Sequence, residues 1–458
     1  MEKTAKALLL CACILFLNSL RSVGQDAPLR ADKNMHHEEV SDPYLPNAYH
    51  DKKVSPAYRY KNTQELKVTS TSIFSAQVNV DGDGQNILGD AANETNIAVN
   101  PLNPDEIVIG WRQFDNVTSN FRQAGWSYTT DGGQNWTFPG VLEPGIFRSD
   151  PVLDYDAEGV FYYNSLMGNF ACKVFKSSNG GAVWDEGTDA GGGDKQWMTI
   201  DRTSGEGSGN IYSSWTEGYT TCPPGFFTRS TDGGSGFEEC TEVGGSPFWG
   251  TMAIGNNGEL YIAGGGQDGN LIMAKSNNAQ NAGSAITWLP PVSIFMDGSI
   301  GFGGTVNPAG LLGQVSTDVD RSAGAGKDNV YVLASLSRPA IGDPGDVMFT
   351  RSLDEGIEWD QPKKINDDEE GNTQWFGTMS VAPNGRIDAV WLDTRDAALD
   401  SSALYYSYSN DEGITWSVNE KLSDYFDPHV GYPNQDKMGD YFDMISDNTG
   451  AHLAWANT

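Results

Sequence analysis

Carboxylates and cations stand side by side at a few points along the chain. Glu94 and Asn96 lie in NETNIAV, Arg148 and Asp150 in FRSDPVLDYD, and Lys195, Gln196 and Trp197 in DKQWMTID. Asp436, Lys437, Asp440 and Tyr441 lie in NQDKMGDYFD, Arg112 in GWRQF, and Asp393 with Arg395 in WLDTRD. These residue types can do two kinds of work. An arginine holds a carboxylate through paired hydrogen bonds, and a carboxyl, tyrosine or histidine side chain moves a proton in acid–base catalysis. Tyr441, or His429 in DPHVGYP, could abstract a proton α to a uronate carboxylate while Lys195 or an arginine neutralises it. The same residues also have plainer uses. Asp150 and Asp154 can fasten a turn, Arg395 can bridge Asp393 and Asp396, and Trp249 and Trp375 can be core residues or sugar-stacking faces.

What must position them is a repeated β element. From about residue 71 the chain consists of short alternating strands (EIVIGW, VFYYNSL, LYIAGG, VYVLASL) broken by glycine-rich turns, with almost no helical period. DRTSGEGSGNIY at 201–212 matches DRSAGAGKDNVY at 320–331, and FWGTMAIGNNGELY at 248–261 matches WFGTMSVAPNGRID at 375–388. The unit is about fifty residues long, the period of a four-stranded propeller blade. Six units begin near Glu94, Asp150, Lys195, Phe248, Gln314 and Gln374. A seventh, from Gln435, holds only two strands, so the expectation is an all-β propeller of seven blades, or six, with an incomplete or truncated last blade. The stretch STSIFSAQVNV (70–80) is expected to add an outer strand to that last blade. In a propeller, ligands meet the starts of the innermost strands, where the residues above fall.

Each unit carries one copy of a turn: TTDGGQNW from Thr129, SSNGGAVW from Ser177, STDGGSGF from Ser230, SLDEGIEW from Ser352 and SNDEGITW from Ser409. A degenerate copy, KSNNAQNAGSAITW, surrounds Ser276. The Ser/Thr and Asp side chains can bond main-chain N–H groups inside the turn, glycine supplies a positive φ, and the tryptophan packs back on the blade. The motif is a hairpin fastener. It resembles the Asp box of the sialidase (neuraminidase, BNR-repeat) superfamily over roughly residues 90–458. That resemblance implies a propeller with the boxes on its outer hairpins. It also implies an exo-α-sialidase-like glycoside hydrolase of extracellular glycans, with Asp150 as acid and Tyr441 as nucleophile paired with Glu94. Arg112, Arg148 and Arg395 would form a triad on the substrate carboxylate, with Lys195, Trp249, Trp375 and Asp440 as further substrate contacts. A non-catalytic propeller binding glycan or protein, and a polysaccharide lyase on the same fold, are the alternatives.

The 458 residues open with a charged segment, the apolar run ALLLCACILFL and the small residues Ser22 and Gly24, the order of a secretory signal peptide over 1–24. LCAC, ending at Cys13, matches a lipoprotein box only loosely. Residues 25–70 read as a flexible leader before a propeller over 71–458, and HHEE at 36–39 is a loose metal-binding pattern within it. A formal charge of −32 repels nucleic acid and anionic membranes, and no later stretch is apolar enough to span a bilayer. The resemblance implies an extracellular glycan or polysaccharide as partner; oligomeric state is not legible. Cys222 and Cys240 flank the third turn copy and are expected to pair in an oxidising compartment, leaving Cys172 as a buried thiol. No cofactor is implied, although Asp81, Asp83 and Asp90 in DGDGQNILGD have the look of a calcium loop.

Overall fold

The computed structural model describes residues 42–49, 55–62, 73–369, 371–396 and 400–458. The signal segment and HHEE lie outside them. The described chain is a β-propeller whose six blades are antiparallel sheets in simple up-and-down order, five of four strands and the third of three. Their innermost strands are Ala91–Val99, Ser149–Tyr155, Trp197–Ile200, Met252–Ile254, Ser316–Val319 and Gln374–Val381. The six unit starts expected from the repeats each fall within a few residues of one of these strands. A two-stranded sheet, Asp443–Ser446 with Ala451–Ala454, occupies the place between the sixth blade and the first.

Side chains close this ring by accepting main-chain N–H groups from the next sheet. Asn96 accepts from Leu153 (2.7 Å), Asp154 from Ile200 (2.8 Å), Thr251 from Thr317 (2.9 Å) and Asp318 from Val381 (2.8 Å). Ser380 accepts from Ser446 (3.0 Å), and Asp443 accepts from Ile97 at 3.5 Å, joining the last sheet to the first. Apolar residues of facing sheets fill the spaces between, as where Ala98, Val108 and Trp126 of the first blade meet Leu153, Tyr163 and Phe175 of the second.

The five turn copies share one hydrogen-bond pattern. The hydroxyl of the leading Ser/Thr accepts the N–H of the glycine four residues on: Gly133 (3.2 Å), Gly181 (3.1 Å), Gly234 (2.8 Å), Gly356 (2.8 Å) and Gly413 (2.9 Å). The same hydroxyl donates to Asp131, Asn179, Asp232, Asp354 or Asp411. Asn179 keeps its place because its amide oxygen accepts as a carboxylate oxygen does. The degenerate copy behaves alike, with Ser276 bonded to Asn278. The turns also tie blades together. Trp126 of the first blade donates its indole N–H to the Gly181 carbonyl of the second, and Trp416 of the sixth packs edge-on against Phe349 of the fifth.

Two local pairings depart from the expected repeat. Ile73–Ala76, within the stretch expected to extend the last blade, pairs instead with Arg59–Asn62. Between the fourth and fifth blades, the insertion carrying the hairpin Phe302–Gly303 with Asn307–Leu311 crosses to the last sheet. There Leu311 N–H donates to Asp440 (2.9 Å), Asn307 bonds the Gly439 carbonyl and Met438 N–H, and Ala309 N–H reaches the Asp436 carbonyl. Cys222 and Cys240 form a disulfide, and Cys172 is free and buried, its thiol pushed up to about 12 by that burial.

Candidate functional site

The start of every innermost strand has the same unusual backbone. At equivalent positions the chain turns left-handed: Glu94 (φ 49°), Asp150 (46°), Lys195 (56°), Trp249 (55°), Gly313 (152°), Phe376 (58°) and Gly439 (101°). The pairing with the second strand slips there, between Asn93 and Asn96, Ser149 and Val152, and Trp375 and Thr378. A non-glycine residue in this region costs about 1–3 kcal/mol and persists where surroundings over-determine it. Three consecutive blades place a charged residue at this position, while the fourth and sixth place an aromatic one.

The charged positions converge. Glu94 lies 3.1 Å from Arg112 Nε and 3.6 Å from Lys437 Nζ. Lys437 reaches Asp440 at 2.8 Å, and Lys195 reaches Asp440 at 2.9 Å, Asp194 at 3.2 Å and Asp150 at 3.4 Å. Asp150 is oriented further by the Ser149 hydroxyl (2.7 Å) and the Lys195 N–H (3.3 Å). Four carboxylates therefore meet three cations, every one of them buried.

Charge state divides the carboxylates. Burial, with Asp150 and Asp440 close by, pushes Glu94 well above the usual range despite Arg112 and Lys437. Burial also acts on Asp440, but Lys195, Lys437 and Arg112 together hold it well below that range. Burial, Glu94 and Asp150 raise the Tyr441 phenol well above its ordinary value. Its hydroxyl donates to the Pro151 carbonyl (2.9 Å), and its ring packs edge-on against Trp197. In this geometry Tyr441 is a neutral donor.

Thus Glu94, Asp150, Tyr441, Arg112, Lys195 and Asp440 come together, joined by Lys437. The other expected residues do not join them. Arg148 bonds Glu143 and the Ser165 carbonyl and lies over the Phe175 ring. Arg395 is held by Asp393 (2.8 Å), Asp367 and Asp368 and lies over Tyr405. With Arg112 in the channel network and the other two spoken for by their own blades, the three arginines form no common clamp. Trp249 packs between Phe248 and Phe302, and Trp375 packs on Phe376 with its indole N–H on Ser402, so both are core in this arrangement. His429, exposed, bonds Asp427 (2.7 Å) and the Thr305 carbonyl (2.6 Å) at the tip of the crossing hairpin. Asp194 was missed by sequence reasoning, although its place beside Lys195 was a signal. The crossing hairpin, which covers Asp440, left no repeat signature at all.

In the suspected calcium loop, Asp81 accepts the N–H groups of Asp83 and Gln85, and Asp90 accepts from Gln113 and Asn79. Burial raises Asp90 to about 6. The innermost strands also enclose a cavity of about 490 Å3 lined by Trp197, Thr199, Thr251, Asp154, Asp318 and Asp443, among others. Trp197, which touches Tyr441, thus lies at both the cavity and the charged network.

No protein-family model matches the chain, and no curated protein matches it. Among solved structures it is similar to a Dyadobacter fermentans protein of unknown function, at 14% identity and TM-score 0.43 over 78% of this chain and 88% of that one. It is also similar to a GH74 xyloglucanase from Xanthomonas campestris, at 16% identity and TM-score 0.43 over 73% of this chain and 46% of that one. A third similar structure is the leech intramolecular trans-sialidase, at 10% identity and TM-score 0.44 over 75% of this chain and 69% of that one.

Proposed function

We propose that the protein is an exported, glycan-active propeller that hydrolyses glycosidic bonds at the Glu94–Asp150 face of its channel. The observation that carries this reading is the convergence of Glu94 and Asp150 beside Arg112, Lys195 and Lys437 at the starts of the innermost strands. Glycoside hydrolysis needs one carboxyl group that holds a proton for the leaving oxygen and a second that is ionised opposite the developing positive charge. Glu94 supplies the proton. Asp150, oriented by Ser149 and Lys195, is the opposing carboxylate, and Arg112, Lys195 and Lys437 receive an acidic sugar. A sialidase-like activity would then rest on one arginine and two lysines. Tyr441 positions Trp197 and the Pro151 carbonyl. Substrate reaches these groups when the crossing hairpin, Phe302–Leu311, withdraws from Asp440.

The test is product release from sialylated, uronate-containing and neutral glycans, read by mass spectrometry, with Glu94→Gln and Asp150→Asn as controls. Free sugar that is lost in both controls is the expected result. Unsaturated uronate products would instead make the protein a lyase. A second reading, a non-catalytic binding propeller, is favoured by the burial of every network residue. Absence of product together with measurable glycan binding would select it.

A further inference from the structure

The charged network lies at the starts of the innermost strands, and the cavity of about 490 Å3 lies toward their other ends. Tyr155, Ile200 and Ile254, each the last residue of its innermost strand, line it. Its volume is that of a small-molecule pocket. Arg321 and Ser204 on its wall are exposed, which places its mouth on the face opposite the network. The hydrolysis proposed above makes no use of this end of the channel.

Three carboxylates stand on the wall, and two of them hold an arginine. Arg202 pairs with Asp154, bonds the Tyr155 carbonyl (3.2 Å) and lies over the Tyr155 ring. Arg321 pairs with Asp318 at 2.9 Å and bonds the Ile254 carbonyl (3.0 Å). Asp443 has no ion pair among the described residues, and the charges that act on it are the carboxylates Asp154 and Asp318. Together with Tyr155 these are the ionisable groups of the wall. Three carboxylates against two guanidinium groups leave one negative charge in excess. Burial and the two neighbouring carboxylates raise Asp443 to about 7, so that a proton offsets the excess where no cation does.

The other polar groups of the wall suit hydroxyls. Thr199 is 7% exposed and Thr378 9%, both line the cavity, and neither hydroxyl bonds a protein group among the described residues. Trp197, half-buried, lines the same cavity with an aromatic surface on which a sugar ring can rest. Among the described residues the carboxylates do not gather into a group that could hold a metal ion. An organic cation that spans the cavity meets these walls where a bare ion does not.

We infer that this end of the channel binds an amino sugar, with its ammonium group at Asp443, its ring on Trp197 and its hydroxyls on Thr199 and Thr378. The site stands independently of the hydrolase reading, since none of the network's charged groups belongs to it.

Calorimetric titration of the chain with glucosamine, glucose and N-acetylglucosamine at pH 7 tests this. Glucosamine should bind about tenfold or more tighter than the two uncharged sugars. Its binding should also release protons from Asp443, read as a heat that changes with the ionisation enthalpy of the buffer. Asp443→Asn keeps the acceptor for Ile97 and should lose both the preference and the proton release. Arg321→Gln removes a cation from the exposed rim and should tighten glucosamine binding severalfold, a gain that a folding defect cannot mimic. Equal affinity for the three sugars, or no binding at millimolar glucosamine, would overturn the proposal. A preference that survives Asp443→Asn would overturn it as well and place the sugar at the Glu94 network instead. Weaker glucosamine binding by Arg321→Gln would show that the excess charge does not hold the ligand, and would overturn it equally.

Discussion

Glu94 and Asp440 sit in one network and answer burial in opposite ways, because Asp440 has two ammonium groups within 3 Å and Glu94 has none that close. Glu94→Gln replaces a group that already carries its proton, so it should cost less than about 1.5 kcal/mol of stability while removing about 100-fold or more of any hydrolytic rate. Asp440→Asn leaves Lys195 and Lys437 buried with too little negative charge and should cost about 3–5 kcal/mol. Denaturant unfolding of both variants checks the contrast. Equal losses would mean that Glu94 is ionised and that the acid role assigned to it is wrong.

At the scale of the element, the turn motif is demanding only where a neighbouring blade presses on it. Gly413 has φ +78°, and a Cβ there would lie 2.2 Å from the Phe349 ring of the fifth blade. Gly84 has a similar φ, +71°, but nothing within 4 Å of an added Cβ. Gly413→Ala should therefore destabilise by about 3 kcal/mol or more, and Gly84→Ala by only about 1 kcal/mol, since the second adds strain without overpacking. Thermal unfolding distinguishes them. The hairpin-fastener role of the box was readable from TTDGGQNW alone, because every bond in it joins residues within four positions of each other. The partner that makes Gly413 irreplaceable lies far away in sequence and could not be read.

For the whole molecule, the channel supplies a pH dependence. Asp443, which accepts the Ile97 N–H where the last sheet meets the first, is raised to about 7 by burial. Its proton is held more tightly in the folded chain than in the unfolded one. The associated stability is therefore full below about pH 4 and lost as pH rises through about 7. Asp443→Asn keeps an acceptor for Ile97 and removes the titration. The variant should gain about 1–2 kcal/mol on the parent at pH 8 and match it near pH 4, the cavity beside Asp443 limiting the effect. Unfolding curves at the two pH values test this, and a constant difference between them would show that Asp443 does not titrate in that window.

The repeat unit, the fastening turns, the all-β class, the starts of the inner strands and the Cys222–Cys240 pair were all legible in the sequence. They depend on local hydrogen bonding and on a period, and a period survives in one dimension. Which polar residues share a site was not legible. Glu94, Asp150 and Lys195 meet Lys437 and Asp440 because a ring brings the last sheet against the first, across 245 residues of chain for Lys195 and Asp440 and 343 for Glu94 and Lys437. Arg148 and Arg395 matched the expected residue type but face their own blades, since a side chain's direction follows from pairing register and packing, not from its neighbours in sequence. The crossing hairpin that covers the network is an insertion without a repeat, so only the tertiary structure could place it.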